Sequence, residues 1–133
     1  MRRVIKLGAL LSVGLVASCS YELDLSVVQE GARTVFAVEN RPEFCPSAVA
    51  VGAGGVNGLT SPIWSIAVED RATCVRRFEY GVAPAGWRQI VAPKPLSPDA
   101  IYVVNVGAPG ADGYKAFQRG AADGPISRAM PRS

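Results

Sequence analysis

Between residues 22 and 118 apolar side chains recur at every second position in short runs, none longer than eight residues, before proline, glycine, asparagine or aspartate breaks the pattern. That period fits a strand, whose alternate side chains share a face, and not a helix, which needs a stripe repeating every 3.6 residues. "ELDLSVV" sets Leu23, Leu25 and Val27 on one face, and "RTVFAVE" sets Thr34, Phe36 and Val38 against Val35 and Ala37. The "QEGA" between them carries the glycine that a tight connection between antiparallel strands favours. Six further runs follow: "SAVAVGA" (47–53), "PIWSIAVE" (62–69), "RRFEYGV" (76–82), "GWRQIVA" (86–92), "IYVVNVGA" (101–108) and "GYKAFQ" (113–118).

The runs are separated by "ENRPEFCP", "GGVNGLTSP", "APKPLSPD" and "APGADG", which are turn chemistry rather than helix caps. Prolines fall in these connections or at strand starts, where a missing N–H does little harm. Short, evenly spaced strands of this kind predict a β-sandwich more readily than a barrel. The tail "RGAADGPISRAMPRS" (119–133) has too few apolar residues to pack and is expected to be loose.

In "PLSPDAIYVVNV", Leu96, Pro98, Tyr102, Val104 and Val106 form L-x-P-x-x-x-Y-x-V-x-V, which resembles the corner before strand F of fibronectin type III domains. The resemblance implies that the Tyr102 hydroxyl bonds back to the upstream backbone and fixes a turn between sheets. Val104 stands where antibody-type domains carry a cysteine, so the antibody subtype is not matched. The expected fold is an all-β, antiparallel, immunoglobulin-like β-sandwich of seven to eight short strands.

The N-terminus obeys other rules. Arg2, Arg3 and Lys6 precede an apolar segment running from Leu7 to about Val16, too short for the roughly 20 residues that cross a bilayer. It ends in Val16, Ala17, Ser18 and Cys19, which resemble the lipobox of bacterial lipoprotein precursors. The resemblance implies cleavage after Ser18, acylation of the Cys19 thiol and usually of the new amine, and, with Ser20 rather than aspartate next, sorting to the outer membrane. An ordinary secretory signal with a chance cysteine is the alternative. Two or three acyl chains anchor a protein durably, whereas one binds only marginally. Residues 1–18 are thus expected to be a cleaved signal peptide and 19–118 an anchored domain.

Removing 1–18 leaves 115 of 133 residues, enough for one domain, and takes three basic side chains with it, so that 11 basic face 11 acidic residues. Balanced charge without a basic block lacks the footprint of a nucleic-acid binder. With Cys19 lipidated in an exported protein, Cys45 and Cys74 are the expected disulfide, contributing roughly 3–4 kcal/mol through loop closure. A redox or metal pair is disfavoured because the spacing is not C-x-x-C and the sequence contains no histidine.

"AVAVGAGGVNG" places Gly52, Gly54 and Gly58 after a strand with Glu69 and Asp70 downstream, but Pro62 and a new strand follow too soon for the helix that a dinucleotide site requires. A flexible loop is expected instead. The carboxylates are scattered, adjacent Glu69 and Asp70 point to opposite faces of a strand, and Asp112 alone cannot hold Ca²⁺. No catalytic residue, cofactor, nucleotide or metal site is expected. Trp64, with Ile66 and Val68 on its face, reads as core. Trp87, beside Gly86 and Arg88, reads either as a contact anchor with Arg88 for a partner or as a ring folded back over the sandwich edge. Three classes of function remain: a tethered, non-catalytic binding or adaptor module of the cell envelope facing the periplasm, a structural envelope component, and, least favoured, an enzyme.

Overall fold

The computed structural model describes residues 20–119; the signal segment, Cys19 and the tail beyond Arg119 lie outside the described residues. Nine strands follow in order: β1 (Tyr21–Glu22), β2 (Leu25–Glu30), β3 (Arg33–Val38), β4 (Ala48–Ala53), β5 (Trp64–Val68), β6 (Arg77–Glu79), β7 (Trp87–Val91), β8 (Ile101–Ala108) and β9 (Ala111–Gln118). A short 3-10 helix, Val56–Thr60, interrupts the series between β4 and β5. One sheet has the order β1-β9-β8-β4-β5-β7 and the other β2-β3-β6, and the two pack face to face as a β-sandwich.

The alternation in the sequence becomes the core. Leu25, Val27, Phe36, Val38 and Phe78 from the smaller sheet meet Val49, Val51, Trp64, Ile66, Tyr102, Val104, Val106 and Phe117 from the larger one, all buried. Phe36 joins the two layers, with its ring centroid 5.3 Å from Phe117 and 6.5 Å from Trp64. Every expected run forms a strand, although "RRFEYGV" is trimmed to three residues because Gly81, at φ 87, turns the chain out of β6.

Two features differ from expectation. The count is nine rather than seven or eight, and one pair, β1 with β9, is parallel. Both follow from a break inside "ELDLSVV": the chain leaves β9 after Glu22 and joins β3 from Leu25, passing from one sheet to the other without reversing. Asn40 supports the crossing, because its Oδ1 accepts from the Asp24 N–H at 2.8 Å and its Nδ2 donates to the Glu22 carbonyl at 3.3 Å. Backbone groups between two sheets would otherwise lack partners. Leu23 is buried at the crossing, and Gly113 permits it: a Cβ there would lie 2.1 Å from the Leu23 carbonyl oxygen.

The strands define two ends. The Gly54 N–H donates to the Ile101 carbonyl at 2.7 Å where β8 begins, and the Ser47 N–H donates to the Gly107 carbonyl at 2.7 Å where it finishes. The first, upper end carries the 31–32 turn, the 3-10 helix and the loop 92–100. The lower end carries Ser20, the loops 39–47 and 69–76, and the Pro109–Gly110 turn.

Candidate functional site

Cys45 and Cys74 form the expected disulfide, with Cα atoms 5.1 Å apart, tying the β3–β4 loop to the β5–β6 loop at the lower end. Both residues are exposed. Beside them Arg76 acts as a second tie that the sequence did not reveal. Its guanidinium donates to the carbonyls of Phe44 at 2.7 Å, Arg41 at 3.1 Å and Val38 at 3.4 Å, and also to that of Asn40. Five N–H donors in a rigid fork suit this task, whereas a lysine offers only a point charge. Loop 39–46, which includes Arg41 at φ 55, is therefore clamped by a covalent bond and by a charged fork.

Trp87 and Arg88 do not act together. Trp87 is buried, with its ring 5.1 Å from Phe78 in an edge-to-face contact, so the folded-back alternative is the one observed. A strand sends neighbouring side chains to opposite faces, and Trp87 opens β7 with its ring inward. Arg88 points outward, where its Nε forms an ion pair with the Glu69 carboxylate at 3.0 Å. The neighbouring Asp70 carboxylate accepts from the Ala72 N–H at 3.0 Å and shapes the following turn. Both carboxylates thus have local structural partners. Trp64 is buried with Ile66, as expected of a core position. Neither the Trp64 nor the Trp87 indole N–H meets an acceptor among the described residues.

The glycines of "AVAVGAGGVNG" serve packing. A Cβ on Gly52 would lie 2.5 Å from the Gly58 carbonyl carbon, and one on Gly58 would lie 2.0 Å from the Ala53 carbonyl oxygen. The connection therefore folds back onto the outer face of β4 with backbone against backbone, as a 3-10 turn rather than the loop expected. Its five residues make no platform for a pyrophosphate. Tyr102 does make the bond implied by the fibronectin resemblance: its hydroxyl accepts from the Ser97 N–H at 2.7 Å. Yet β7 and β8 belong to the same sheet, so this corner closes a connection within one layer instead of joining two.

Comparison with protein-family models, curated proteins and solved structures gives no match for the chain.

Function must accordingly be argued from the surface. Among the described residues no group of three or more His, Cys, Asp or Glu side chains is placed to hold a metal ion. One depression of about 290 Å³ lies at the upper end between Arg33, Thr34, Glu79, Tyr80, Leu96 and Arg119. The Tyr80 hydroxyl beside it donates to the Lys94 carbonyl, and burial pushes the phenol up to about 12. Glu30, next to this depression, receives hydrogen bonds from Arg33 and Arg77, which hold its carboxyl below the usual range. Another depression, of about 360 Å³, lies at the lower end along Ser20, Ser47, Asn105 and the Pro109–Gly110 turn. Asp112, weighed from sequence as a Ca²⁺ ligand, borders it from β9.

Proposed function

We propose that the chain is a bacterial lipoprotein, anchored through Cys19, that presents a non-catalytic binding or adaptor domain in the cell envelope. The observation that carries this proposal is the Cys45–Cys74 disulfide: such bonds persist in exported proteins and are rare in a reducing cytosol. An exported domain preceded by Val16-Ala17-Ser18-Cys19 at the end of a short apolar segment is what a lipobox delivers. Ser20 after the cysteine favours the outer membrane, with the domain facing the periplasm. Support for a binding role comes from the domain's shallow depressions and displayed connections; the upper depression places Glu79 in an ion pair with Arg33 at 3.5 Å.

Metabolic labelling with a palmitate analogue tests the anchor. Label is expected on the wild type and absent from Cys19→Ala; label retained by the variant refutes lipidation at this residue. Crosslinking in intact cells then separates roles, since one stoichiometric envelope protein indicates an adaptor and a broad spread of contacts indicates a structural component.

A further inference from the structure

The lower end carries an aromatic and cationic cluster that the proposed function leaves unused. The Tyr21 ring, about half exposed, has its centroid 5.4 Å from that of Phe44. The Arg41 guanidinium lies 4.5 Å from the Tyr21 ring centroid. Each member is held by the fold. Tyr21 is fixed in β1, where its N–H donates to the Gly110 carbonyl at 2.9 Å and the Leu23 N–H donates to the Asp112 carbonyl at 2.8 Å. Arg41 and Phe44 sit in the loop clamped by Arg76 and by the disulfide.

Only Ser20 stands between Cys19 and this cluster. Two residue steps span at most about 7–8 Å, so an acylated Cys19 holds Tyr21 near the headgroups whatever the rest of the domain does. We propose that the end formed by Tyr21, Arg41, Phe44 and the Pro109–Gly110 turn docks into the headgroup layer of the membrane that holds Cys19. This rests on the lipid-anchor proposal and adds an orientation to it. The Tyr21 ring, with its polar hydroxyl, enters the polar–apolar boundary, the apolar Phe44 ring packed against it is covered with it, and Arg41 meets lipid phosphate. The strands stand upright, and the 31–32 turn, the 3-10 helix and the loop 92–100 face the periplasm. Glu43 lies 3.9 Å from Arg41, and Glu22 and Asp112 flank the patch, so ring burial rather than attraction to anionic lipid carries the contact.

The full-length lipidated protein, in phosphatidylcholine vesicles with and without bromine on the acyl chains, provides the test. Tyr21→Trp and Phe44→Trp place reporters in the patch, and Val56→Trp places one on the exposed 3-10 helix; wild-type emission from buried Trp64 and Trp87 is subtracted. Emission from positions 21 and 44 is expected to shift to shorter wavelength and to be largely quenched by brominated lipid, with position 56 unaffected. Mass spectrometry of the same samples reads acylation of Cys19. If Cys19 is acylated and positions 21 and 44 escape quenching, docking is wrong while the anchor stands. Equal quenching at 56 overturns the upright orientation. An unacylated Cys19 removes the anchor and, with it, the proposal.

Discussion

Trp87 shows how two opposing terms meet in one side chain. Its ring fills the space against Phe78, yet its indole N–H lies buried without an acceptor, and such a group costs about 1–3 kcal/mol. Trp87→Phe deletes the orphan donor while leaving a cavity worth a similar amount, so urea denaturation is expected to find it within about 1 kcal/mol of wild type. Trp87→Ala, which loses the whole ring, is expected to cost about 3–5 kcal/mol. The sequence left this residue open because Gly86 beside it signals a turn, while whether the ring points inward is decided by the register of β7 on β5, where Trp87 lies opposite Val68. Arg76 was hidden for a similar reason. Its partners are carbonyls more than thirty residues away, and a backbone acceptor leaves no mark in the sequence.

At the scale of elements, loop 39–46 is restrained twice, by Cys45–Cys74 and by Arg76. Cys45→Ala with Cys74→Ala is expected to cost about 3–4 kcal/mol. Arg76→Leu, which strips partners from several carbonyls, is expected to cost about 2–3 kcal/mol. Because both restrain the same segment, the costs should not add: once the disulfide is gone the loop is already free to relax, and losing Arg76 then matters less. A double-mutant cycle in urea that returns strict additivity contradicts the shared clamp. The strands themselves were legible because their period of two is a local property. The split of the first run into β1 and β2 was not, since it depends on Asn40, sixteen residues from Asp24, and on the missing side chain of Gly113. The 3-10 turn escaped notice because its cause is the close approach of Gly58 to Gly52, which spacing alone does not reveal.

For the molecule as a whole, alkaline pH offers a test of how the upper end is closed. The Tyr80 hydroxyl joins the chain leaving β6 to the Lys94 carbonyl beyond β7, and its phenol is raised from 10.0 to about 12 chiefly by burial. The folded state thus keeps a proton that the unfolded chain gives up earlier. The associated stability is complete below pH 10 and is lost as the pH rises from 10 through about 12. Denaturation midpoints measured across that interval should fall for the wild type and fall less steeply for Tyr80→Phe. Parallel curves for the two proteins contradict the assignment. The remaining charges were readable as a balanced surface, and they assemble as expected of one: Glu30, Arg33 and Glu79 alternate in sign across the outer face of the smaller sheet, with Arg33 at 2.8 Å from Glu30 and 3.5 Å from Glu79.

The parallel pairing of β1 with β9 also decides how the domain bears load. If Cys19 is anchored as proposed, a pull on the upper end runs along the strands, and the parallel β1–β9 bonds are loaded in shear. Had the first strand run the other way, the same pull would have opened its bonds one at a time, as a zipper. The direction of two residues, Tyr21 and Glu22, thus sets how the N-terminal edge of the domain resists a pull along its strands.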